Sequence, residues 1–378
     1  MRKGWTETSL GEVAALTMGR TPSRSDKTYW TEDLAYPFCT IADMDGKFIF
    51  PKREGVTIKA IQDGKAKIAP TGTLLMSFKL TIGRMGFAGQ DIFPNEAIVS
   101  ITPDSTIALD MFLYCLLGFQ DLTAGSGRAI KGETLNSKSL SAIPIFLPPL
   151  AEQKRIVDVV SSVDAYIDAL QHQADTARVA RNAVLQDLLS AGGGDWTETV
   201  LGALVSLKTG KLDVNAGVED GEFPFFTCAR DTYKIDVAAY SGKSVIVAGN
   251  GDLNVKYYEG EFNAYQRTYI LQAIDDLVLD PKFLFHFMDK YVETLRNDTQ
   301  GSTIQYLKKA QFTEAPISLP SLAEQKRIVE IVSSMDEVIQ STEQAVLDAK
   351  VLRTALLSDL LSGNHEIPAS YDSLVGAA

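Results

Sequence analysis

The sequence predicts a mixed α/β fold in which two globular α/β domains lie at opposite ends of a pair of long antiparallel, coiled-coil-like helices. A helix-forming stretch occurs twice, and the globular region before each copy is repeated more loosely. Such repetition indicates a duplicated structural unit and a circular, pseudo-twofold arrangement. The implied boundaries are a first domain over 1–147, a first helix over 148–190, a second domain over 191–318, a second helix over 319–362 and a tail over 363–378.

The helical repeat begins with Leu-Pro-Pro-Leu-Ala-Glu-Gln-Lys-Arg-Ile-Val at 147–157 and Leu-Pro-Ser-Leu-Ala-Glu-Gln-Lys-Arg-Ile-Val at 319–329. The offset of 319 − 147 = 172 persists without a gap to Asp-Leu-Leu-Ser at 187–190 and 359–362. Prolines just before each stretch and glycines just after it are typical helix boundaries. About 40 residues at roughly 1.5 Å each predict a rod of about 60 Å.

Apolar residues of the repeat alternate at spacings of four and three, as at Ile156, Val160, Val163 and Ile167. This spacing is typical of a coiled-coil seam, and additional apolar positions widen the stripe. We therefore expect each helix to pack against the other copy and against a further partner. The alternative is a helical hairpin without a special role, although a near-identical surface has been kept on both copies.

Two arginines, Arg181 and Arg353, hold equivalent positions in the predicted seam. One interpretation is that the side chains extend along the apolar surface to reach solvent. The other is that each pairs with an acid nearby in sequence, such as Asp187 or Asp359, and fixes the register of the helices.

Composition excludes several classes of protein. A chain of 378 residues with 45% hydrophobic and 22% charged residues is ordinary for a globular protein of two or three domains. No apolar run reaches the roughly 18 residues of a membrane span, and the N-terminus does not resemble a signal peptide. Three scattered cysteines favour a reducing cytoplasm, and with the three histidines they form no metal-ligand spacing.

The net charge of −12 argues against nucleic-acid binding at first sight. Its distribution is uneven: 16 basic and 15 acidic residues give +1 over 1–147, whereas 12 basic and 18 acidic residues give −6 over 191–318. If the chain binds DNA, local patches and a basic partner must supply the affinity for phosphates.

The two domains share short motifs. Trp-Thr-Glu-Thr occurs at 5–8 and 196–199, an offset of 191, so the second domain is shorter by 191 − 172 = 19 residues. Strands are predicted at 73–78, 97–101, 244–248 and 268–271, and helices at 110–119 and 281–295. The small, polar residues of 365–378 predict a loosely held tail.

No catalytic motif is recognisable. The sequence lacks a Walker loop, a nucleophile elbow and the Asn/Asp-Pro-Pro-aromatic tetrapeptide of amino-group DNA methyltransferases. Gly249-Asn250-Gly251 weakly resembles a nucleotide-binding loop, but strand-forming and turn residues follow it. We interpret this stretch as the turn of a hairpin.

With these motifs the chain resembles the DNA-specificity subunit of type I restriction–modification systems. The repeated helix with its Ala-Glu-Gln-Lys-Arg-Ile-Val start carries most of the resemblance. The stretches at 16–23, 29–30, 36–38 and 77–83 are similar to that family's target-recognition domain. The second domain departs from the pattern, since 207–212 has no counterpart of the Thr-Pro-Ser at 21–23.

The resemblance implies a non-catalytic DNA reader in a prokaryotic, nucleoid-associated cytoplasmic complex. Each domain would read one half of a bipartite, asymmetric site in double-stranded DNA. The helices would set the gap between the half-sites and dock two methyltransferase subunits, and a motor-nuclease subunit would join for cleavage. The chain itself would bind no cofactor, since S-adenosylmethionine belongs to the methyltransferase, and no membrane.

Polar and basic loop residues are the candidates for DNA contact, because Arg, Lys, Asn and Gln suit base edges while Ser, Thr and Tyr suit phosphates. In the first domain they are Arg20, Ser23, Arg24, Lys79, Thr81, Arg84, Arg128 and Lys131. In the second they are Asn250, Asn254, Lys256, Tyr257, Gln266, Arg267, Ser302, Thr303 and Gln305. Each could equally be a solvated loop side chain, and Tyr257 with Tyr258 could be a cross-strand core pair.

The starts of the two helices are the candidates for methyltransferase docking. These residues are Glu152, Gln153, Lys154, Arg155, Glu324, Gln325, Lys326 and Arg327. The alternative is that they cap the helices and keep them soluble.

Two other functions compete with DNA reading. A two-lobed coiled-coil scaffold that binds proteins is favoured by the acidic net charge, and gel-shift assays with and without a methyltransferase partner would distinguish it. A self-sufficient enzyme requires a catalytic constellation that the sequence lacks.

Overall fold

The computed structural model describes residues 4–122, 135–190, 195–298 and 306–375. The chain divides into two compact units. Unit 1 comprises 1–169 and 347–378, and unit 2 comprises 170–346. Each unit therefore contains one globular domain and one half of each long helix.

Unit 1 is built around an antiparallel sheet. The strands of its globular domain are β1 (Thr6–Ser9), β2 (Ala14–Met18), β3 (Trp30–Thr31), β4 (Phe38–Cys39), β5 (Phe48–Ile49), β6 (Gly55–Val56), β7 (Leu74–Ser77), β8 (Met85–Ala88), β9 (Phe93–Pro94), β10 (Ile98–Pro103) and β11 (Pro144–Leu147). Its helices are α1 (Leu10–Val13), α2 (Ile58–Gln62), α3 (Asp110–Phe119) and α4 (Ser137–Ser141). The main sheet has the order β2-β10-β7-β8-β5, and only its β5–β8 pair is parallel.

The first long helix, α5 (Leu150–Ser190), leads from unit 1 into unit 2. The strands that follow are β12 (Thr197–Val200), β13 (Val205–Thr209), β14 (Phe223–Phe226), β15 (Tyr233–Ile235), β16 (Tyr240–Ala248), β17 (Val255–Ala264), β18 (Thr268–Ala273) and β19 (Pro316–Leu319). The helices that follow are α6 (Pro281–Asp298), α7 (Lys309–Thr313), the second long helix α8 (Leu322–Leu361) and α9 (Tyr371–Val375).

The two domains share one topology. The sheet of unit 2 has the order β13-β18-β16-β17-β14-β15, so its first four strands correspond to β2-β10-β7-β8. A separate antiparallel pair precedes each long helix, with Thr6 opposite Leu147 in unit 1 and Thr197 opposite Leu319 in unit 2. The predicted strands and both predicted domain helices are confirmed, as are the mixed α/β class and the duplication.

Each half of a long helix packs on two partners within its unit. In unit 1, Ile156 and Val160 of α5 share a core with Leu360 of α8 and Phe112 of α3. In unit 2, Ile328 of α8, Leu185 of α5 and Phe283 of α6 do the same. The widened apolar stripe is explained, because one face meets the other helix and the adjoining face meets the domain.

The arginines of the seam are paired, but not with the acids predicted. Arg181 donates to Asp336, with Nε 2.9 Å from Oδ1, and Arg353 donates to Asp164, with Nη2 3.1 Å from Oδ2. The prediction of Asp187 and Asp359 was wrong because six residues along a helix point to different faces. The acids of the opposite helix half in the same unit lie closer.

The tail is not loosely held as far as residue 375, contrary to expectation. Ile367 is buried in the core of unit 1, and α9 follows it. Arg155 of α5 donates from Nη2 to Asp372 Oδ2 at 2.7 Å. One buried apolar residue, Ile367, and one ion pair hold this segment on unit 1, although its composition alone predicted no such contacts.

Candidate nucleic-acid interface

One edge of the unit 1 sheet gathers several of the predicted contact residues. Strands β2 and β7 flank β10, with Met18 opposite Val99 and Ser77 opposite Ile98. The ends of β2 and β7 and the start of β10 therefore lie at the same edge. Loops 19–25, 78–84 and 95–97 leave the sheet there, and together they form what we call the loop edge of unit 1.

Unit 2 repeats this edge. Strands β13 and β16 flank β18, with Thr209 opposite Tyr269 and Ala248 opposite Thr268. The loop edge of unit 2 therefore consists of loops 210–213, 249–254 and 265–267. Residues Gly249–Gly251 lie in the loop 249–254 that connects β16 to its antiparallel neighbour β17, so the predicted hairpin turn is confirmed.

The first loop of each edge begins with a glycine, Gly19 in unit 1 and Gly210 in unit 2. A Cβ on Gly19 would collide with the backbone carbonyl oxygens of Pro94 and Asn95, and one on Gly210 would collide with those of Ala264 and Tyr265. Glycine thus lets the loop after the first strand lie against the loop before the third. This shared feature makes the two edges equivalent although 207–212 lacks the Thr-Pro-Ser of the first domain.

A hydrogen-bonded network shapes the hairpin loop of unit 1. The hydroxyl of Ser77, which is fully buried, donates to the carbonyl oxygen of Thr81 and accepts from the backbone N–H of Arg84 at 3.0 Å. The N–H of Gly83 donates to the carbonyl oxygen of Ser77 at 2.9 Å. The loop therefore holds Lys79, Thr81 and Arg84 at the sheet edge in one defined conformation.

The other unit 1 candidates are bound within the protein. Arg24 forms a two-pronged ion pair with Glu54, at 2.6 and 2.7 Å, and its guanidinium lies 3.6 Å from the centre of the Trp30 ring. Arg20 donates to the carbonyl oxygen of Gly64 at 2.7 Å, and the Ser23 hydroxyl lies 2.8 Å from that of Ser25. Arg20 and Ser23 remain exposed, whereas the guanidinium of Arg24 is bound by Glu54 and stabilises the loop that carries it.

At the unit 2 edge, an arginine and a tyrosine form an exposed pair. The guanidinium of Arg267 lies 5.6 Å from the centre of the Tyr306 ring, and Tyr306 is 52% exposed. Tyr306 also bridges to Asn250 by backbone pairing, and Gln266 is exposed beside Arg267. The structure thus brings Asn250, Gln266 and Arg267 together.

Sequence reasoning missed Tyr306 and Lys211. Lys211 is exposed and follows Gly210, as Arg20 follows Gly19. The offset of 191 between the two domains would have found it. Tyr306 carried no comparable signal, because its position depends on pairing with Asn250.

Three unit 2 candidates have partners within the fold. Asn254 is buried and donates to the carbonyl oxygens of Cys228 and Asp252, at 2.9 and 2.7 Å. Lys256 donates to the carbonyl oxygen of Ala229 at 2.7 Å, and burial lowers its pKa. Tyr257 packs against Phe285, and burial, reinforced by Glu259, raises its pKa to about 12. The polar atoms of Asn254 and Lys256 are therefore occupied within unit 2, and the ring of Tyr257 is partly buried against its core.

Five predicted contacts lie outside the described residues. They are Arg128, Lys131, Ser302, Thr303 and Gln305. Nearby described residues are hydrogen-bonded to the two hairpin loops. The N–H of Leu135 donates to the carbonyl oxygen of Phe78 at 3.1 Å, and the N–H of Leu307 donates to the carbonyl oxygen of Gly249 at 2.8 Å.

Two of the eight residues predicted to dock a methyltransferase are inaccessible in the fold. Gln153 and Gln325 are fully buried. Gln153 accepts from the N–H of Leu109 and donates to the carbonyl oxygens of Ile107 and Pro148, all at 2.8–2.9 Å. Gln325 repeats these three bonds, two with Val278 and Asp280 in the loop before α6 and one with the carbonyl oxygen of Pro320 before α8. Because an amide offers both donors and an acceptor, each glutamine fastens its helix to its domain.

The charged residues of the helix starts differ between the copies. Arg155 is committed to Asp372, whereas Arg327 binds Glu324 on its own helix at 2.7 Å. Lys154 and Lys326 are exposed, and Glu152 is half-buried. Only part of this surface is accessible to another protein.

The helices expose apolar side chains at equivalent positions. Tyr166 and Val338 are 58% and 53% exposed, and Val179 and Val351 are each 71% exposed. Both pairs are separated by the repeat distance, since 338 − 166 and 351 − 179 equal 172. Sequence reasoning assigned these positions no role, although the offset pointed to them.

Within the described ranges, no group of His, Cys, Asp and Glu side chains could hold a metal ion. None of the described helices is long and apolar enough to cross a membrane.

A family model described as the type I restriction modification DNA specificity domain matches residues 2–177 and again residues 193–349. The chain belongs to the type I restriction modification DNA specificity family. Each of its two matches covers one copy of the duplicated domain and most of the long helix that follows it. Members of this family are specificity subunits and not catalytic ones, in agreement with the absence of a catalytic motif.

Relatives within this family carry the same description. The EcoDI specificity subunit of Escherichia coli is 38% identical over 45% of this chain and 38% of its own length. The MjaIX specificity subunit of Methanocaldococcus jannaschii is 22% identical over 97% of this chain and 94% of its own. The chain thus spans well under half of the first relative and nearly all of the second.

Solved structures of the specificity family agree with the fold. The S subunit of a type I system from M. genitalium covers 94% of this chain and 96% of its own, at 17% identity and a TM-score of 0.57. A chain from a structure on assembly and conformational transition of the type I system covers 95% and 98%, at 17% identity and a TM-score of 0.60. At this identity the likeness supports the architecture alone.

Proposed function

We propose that this chain reads a bipartite, asymmetric DNA site without catalysing a reaction, one half-site with the loop edge of each unit. The observation that carries the proposal is the repetition of one sheet edge with different side chains on each copy. A duplicated frame with unlike surfaces is suited to recognising two unlike short sequences.

The chemistry of each edge suits DNA. Unit 1 presents Arg20, Lys79 and Arg84, and unit 2 presents Lys211, Asn250 and Arg267. Arginine and lysine can contact guanine or phosphate, and asparagine can contact adenine. Because the two sets differ, the half-sites differ in sequence.

The long helices set the gap between the half-sites. Each helix passes from one unit into the other, and its 40 or 41 residues would span about 60 Å. One turn of duplex is about 34 Å, so a spacer of this length suits half-sites more than one turn apart.

Two methyltransferase subunits dock on this chain, one on each copy of the repeat. The exposed residues Tyr166, Val338, Val179 and Val351 support this, since equivalent apolar positions on two helices favour two copies of one partner. The partner supplies the S-adenosylmethionine chemistry and the positive charge that a chain of net charge −12 lacks. A motor-nuclease subunit joins this complex in the prokaryotic cytoplasm for cleavage.

A methylome tests the proposal. Single-molecule sequencing of a host expressing this chain with its methyltransferase partner should show methylation at one split, asymmetric sequence. Exchanging residues 195–318 for the corresponding domain of another specificity subunit should change one half-site and keep the other. Methylation at a continuous or symmetric site would contradict the proposal, and the protein scaffold would then be the better interpretation.

A further inference from the structure

The tip of the unit 1 hairpin exposes a leucine in a strained conformation. Leu80 is 92% exposed, the largest exposed fraction among the large apolar residues of the described chain. It is also the only described residue other than glycine with a positive φ, at 63°.

Neither property serves the stability of unit 1. The left-handed conformation brings the Cβ of an L-residue too close to the backbone, and glycine or asparagine adopts it at a lower cost. An exposed leucine contributes little burial in return. A residue that costs free energy at a surface tip indicates a function for its side chain.

The surroundings of Leu80 are polar and basic. Lys79 precedes it, Thr81 follows it, and Arg84 is exposed three residues further on. Beneath it the buried Ser77 binds both sides of the loop. The apolar side chain therefore projects from a rigid loop, flanked by cations.

We infer that Leu80 makes an apolar contact with the bases of the half-site read by unit 1. The flanking cations would bind phosphates on either side while the leucine meets the bases. Two base features have this chemistry: the methyl group of thymine, and the face of a base at a partly unstacked step. The inference deepens the proposed function and rests on it.

The matched variants are Leu80→Asn and Ile107→Asn. Asparagine tolerates a positive φ, so Leu80→Asn removes the apolar side chain without adding strain, and its melting temperature should not fall. Ile107 is 39% exposed and follows β10 at the opposite edge of the sheet, so it controls for loss of an exposed apolar residue.

The assay is the methylome of each variant together with its methyltransferase partner. With Leu80→Asn, preference at one base pair of one half-site should fall about tenfold, while the other half-site and the gap stay the same. Ile107→Asn should methylate as the wild type does. Unchanged preference in Leu80→Asn, or an equal loss at every sequence, would overturn the inference. Failure of the wild type to methylate a split site would instead contradict the proposed function.

Binding of the complex to modified duplexes separates the two base features. Replacing thymine with uracil at the affected position should weaken wild-type binding and leave Leu80→Asn unchanged if the methyl group is the contact. A rise in 2-aminopurine fluorescence on binding, lost in Leu80→Asn, would mark an unstacked step. If neither duplex distinguishes the two proteins, the apolar contact does not exist.

Discussion

Arg181 and Asp336 join the two long helices inside unit 2, with Nε 2.9 Å from Oδ1, and Arg353 and Asp164 repeat this pair in unit 1. The residues correspond by the repeat distance, since 181 + 172 = 353 and 164 + 172 = 336. A duplication that keeps an ion pair between helices has kept the antiparallel register within each unit.

The two arginines should differ in importance. Arg181 is also bound by Asp289, at 3.2 Å, and lies 3.3 Å from His286 Nδ1. Aligning the first residues of α3 and α6, Asp110 and Pro281, matches His286 and Asp289 with Cys115 and Gly118 of unit 1, which line a cavity of about 340 Å³ beside Arg353. Arg181→Ala should lower the free energy of unfolding by about 2 kcal/mol, because it leaves the carboxylates of Asp336 and Asp289 without their cation.

The matched variant Arg353→Ala should cost about 1 kcal/mol, because it leaves one carboxylate, that of Asp164, without its partner where Arg181→Ala leaves two. Denaturant unfolding with hydrogen exchange read separately for α3 and α6 measures both variants. Equal losses in the two units would show that Asp289 and His286 contribute nothing.

Unit 2 should lose stability in mild acid. Burial, followed by the charge of Arg181, lowers the pKa of His286 to about 4 from its ordinary 6.5. Between these values the unfolded chain binds more protons than the folded one, so stability is complete above pH 6.5 and falls as the pH drops toward 4. The loss is at most about 3 kcal/mol.

Burial raises the pKa of Asp289, which opposes the His286 effect at the low end of this range. Unfolding curves for wild type and His286→Leu between pH 7.5 and 4.5 test the assignment. His286→Leu should flatten the pH dependence, whereas His172→Gln, on an exposed face of α5, should leave it intact. A flat wild-type profile would contradict it.

The buried glutamines should fasten each helix to its own domain. Gln153→Ala leaves the N–H of Leu109 and the carbonyl oxygen of Ile107, both before α3, and the carbonyl oxygen of Pro148, before α5, without this partner, and should cost roughly 1–3 kcal/mol. Lys154→Ala, one residue away and exposed, should cost almost nothing. Thermal unfolding compares them, and an equal effect of both would contradict the fastening role of Gln153.

The glycines of the loop edges should control half-site reading separately. Gly19→Ala forces a Cβ into the carbonyl oxygens of Pro94 and Asn95, so the unit 1 half-site should be lost or degenerate. Gly217→Ala, whose Cβ would meet only ordinary contacts, is the control. Methylome sequencing gives the result, and intact recognition in Gly19→Ala would show that the edge does not touch DNA.

Helix length should set the gap. Four residues inserted after Ala177 and, to preserve the register, after Ala349 should add about 6 Å to each helix, or roughly two base pairs of duplex. Both half-sites should remain the same while the methylated sites acquire a longer gap. Insertion in α5 alone offsets Arg181 from Asp336 and should destabilise unit 2. An altered half-site with an unaltered gap would refute the spacer role.

The fold was largely predictable because its evidence was periodic. The apolar spacing from Ile156 to Ile167 and the 172-residue offset required no knowledge of distant contacts, so the long helices and the duplication were found directly. The individual contacts were less predictable. Asn254 and Lys256 have side chains suited to DNA, yet loops more than 20 residues away in sequence accept their hydrogen bonds.

The sequence by itself therefore determined the two long helices, the repeated α/β domains and the family, since spacing and repetition are properties of the chain. Tertiary structure decided that Gln153 is buried and fastens a helix to its domain, that Arg181 pairs with Asp336, and that Leu80 projects from its loop. The physical reason is that burial and pairing depend on which residues meet across the fold, and local sequence does not contain that information.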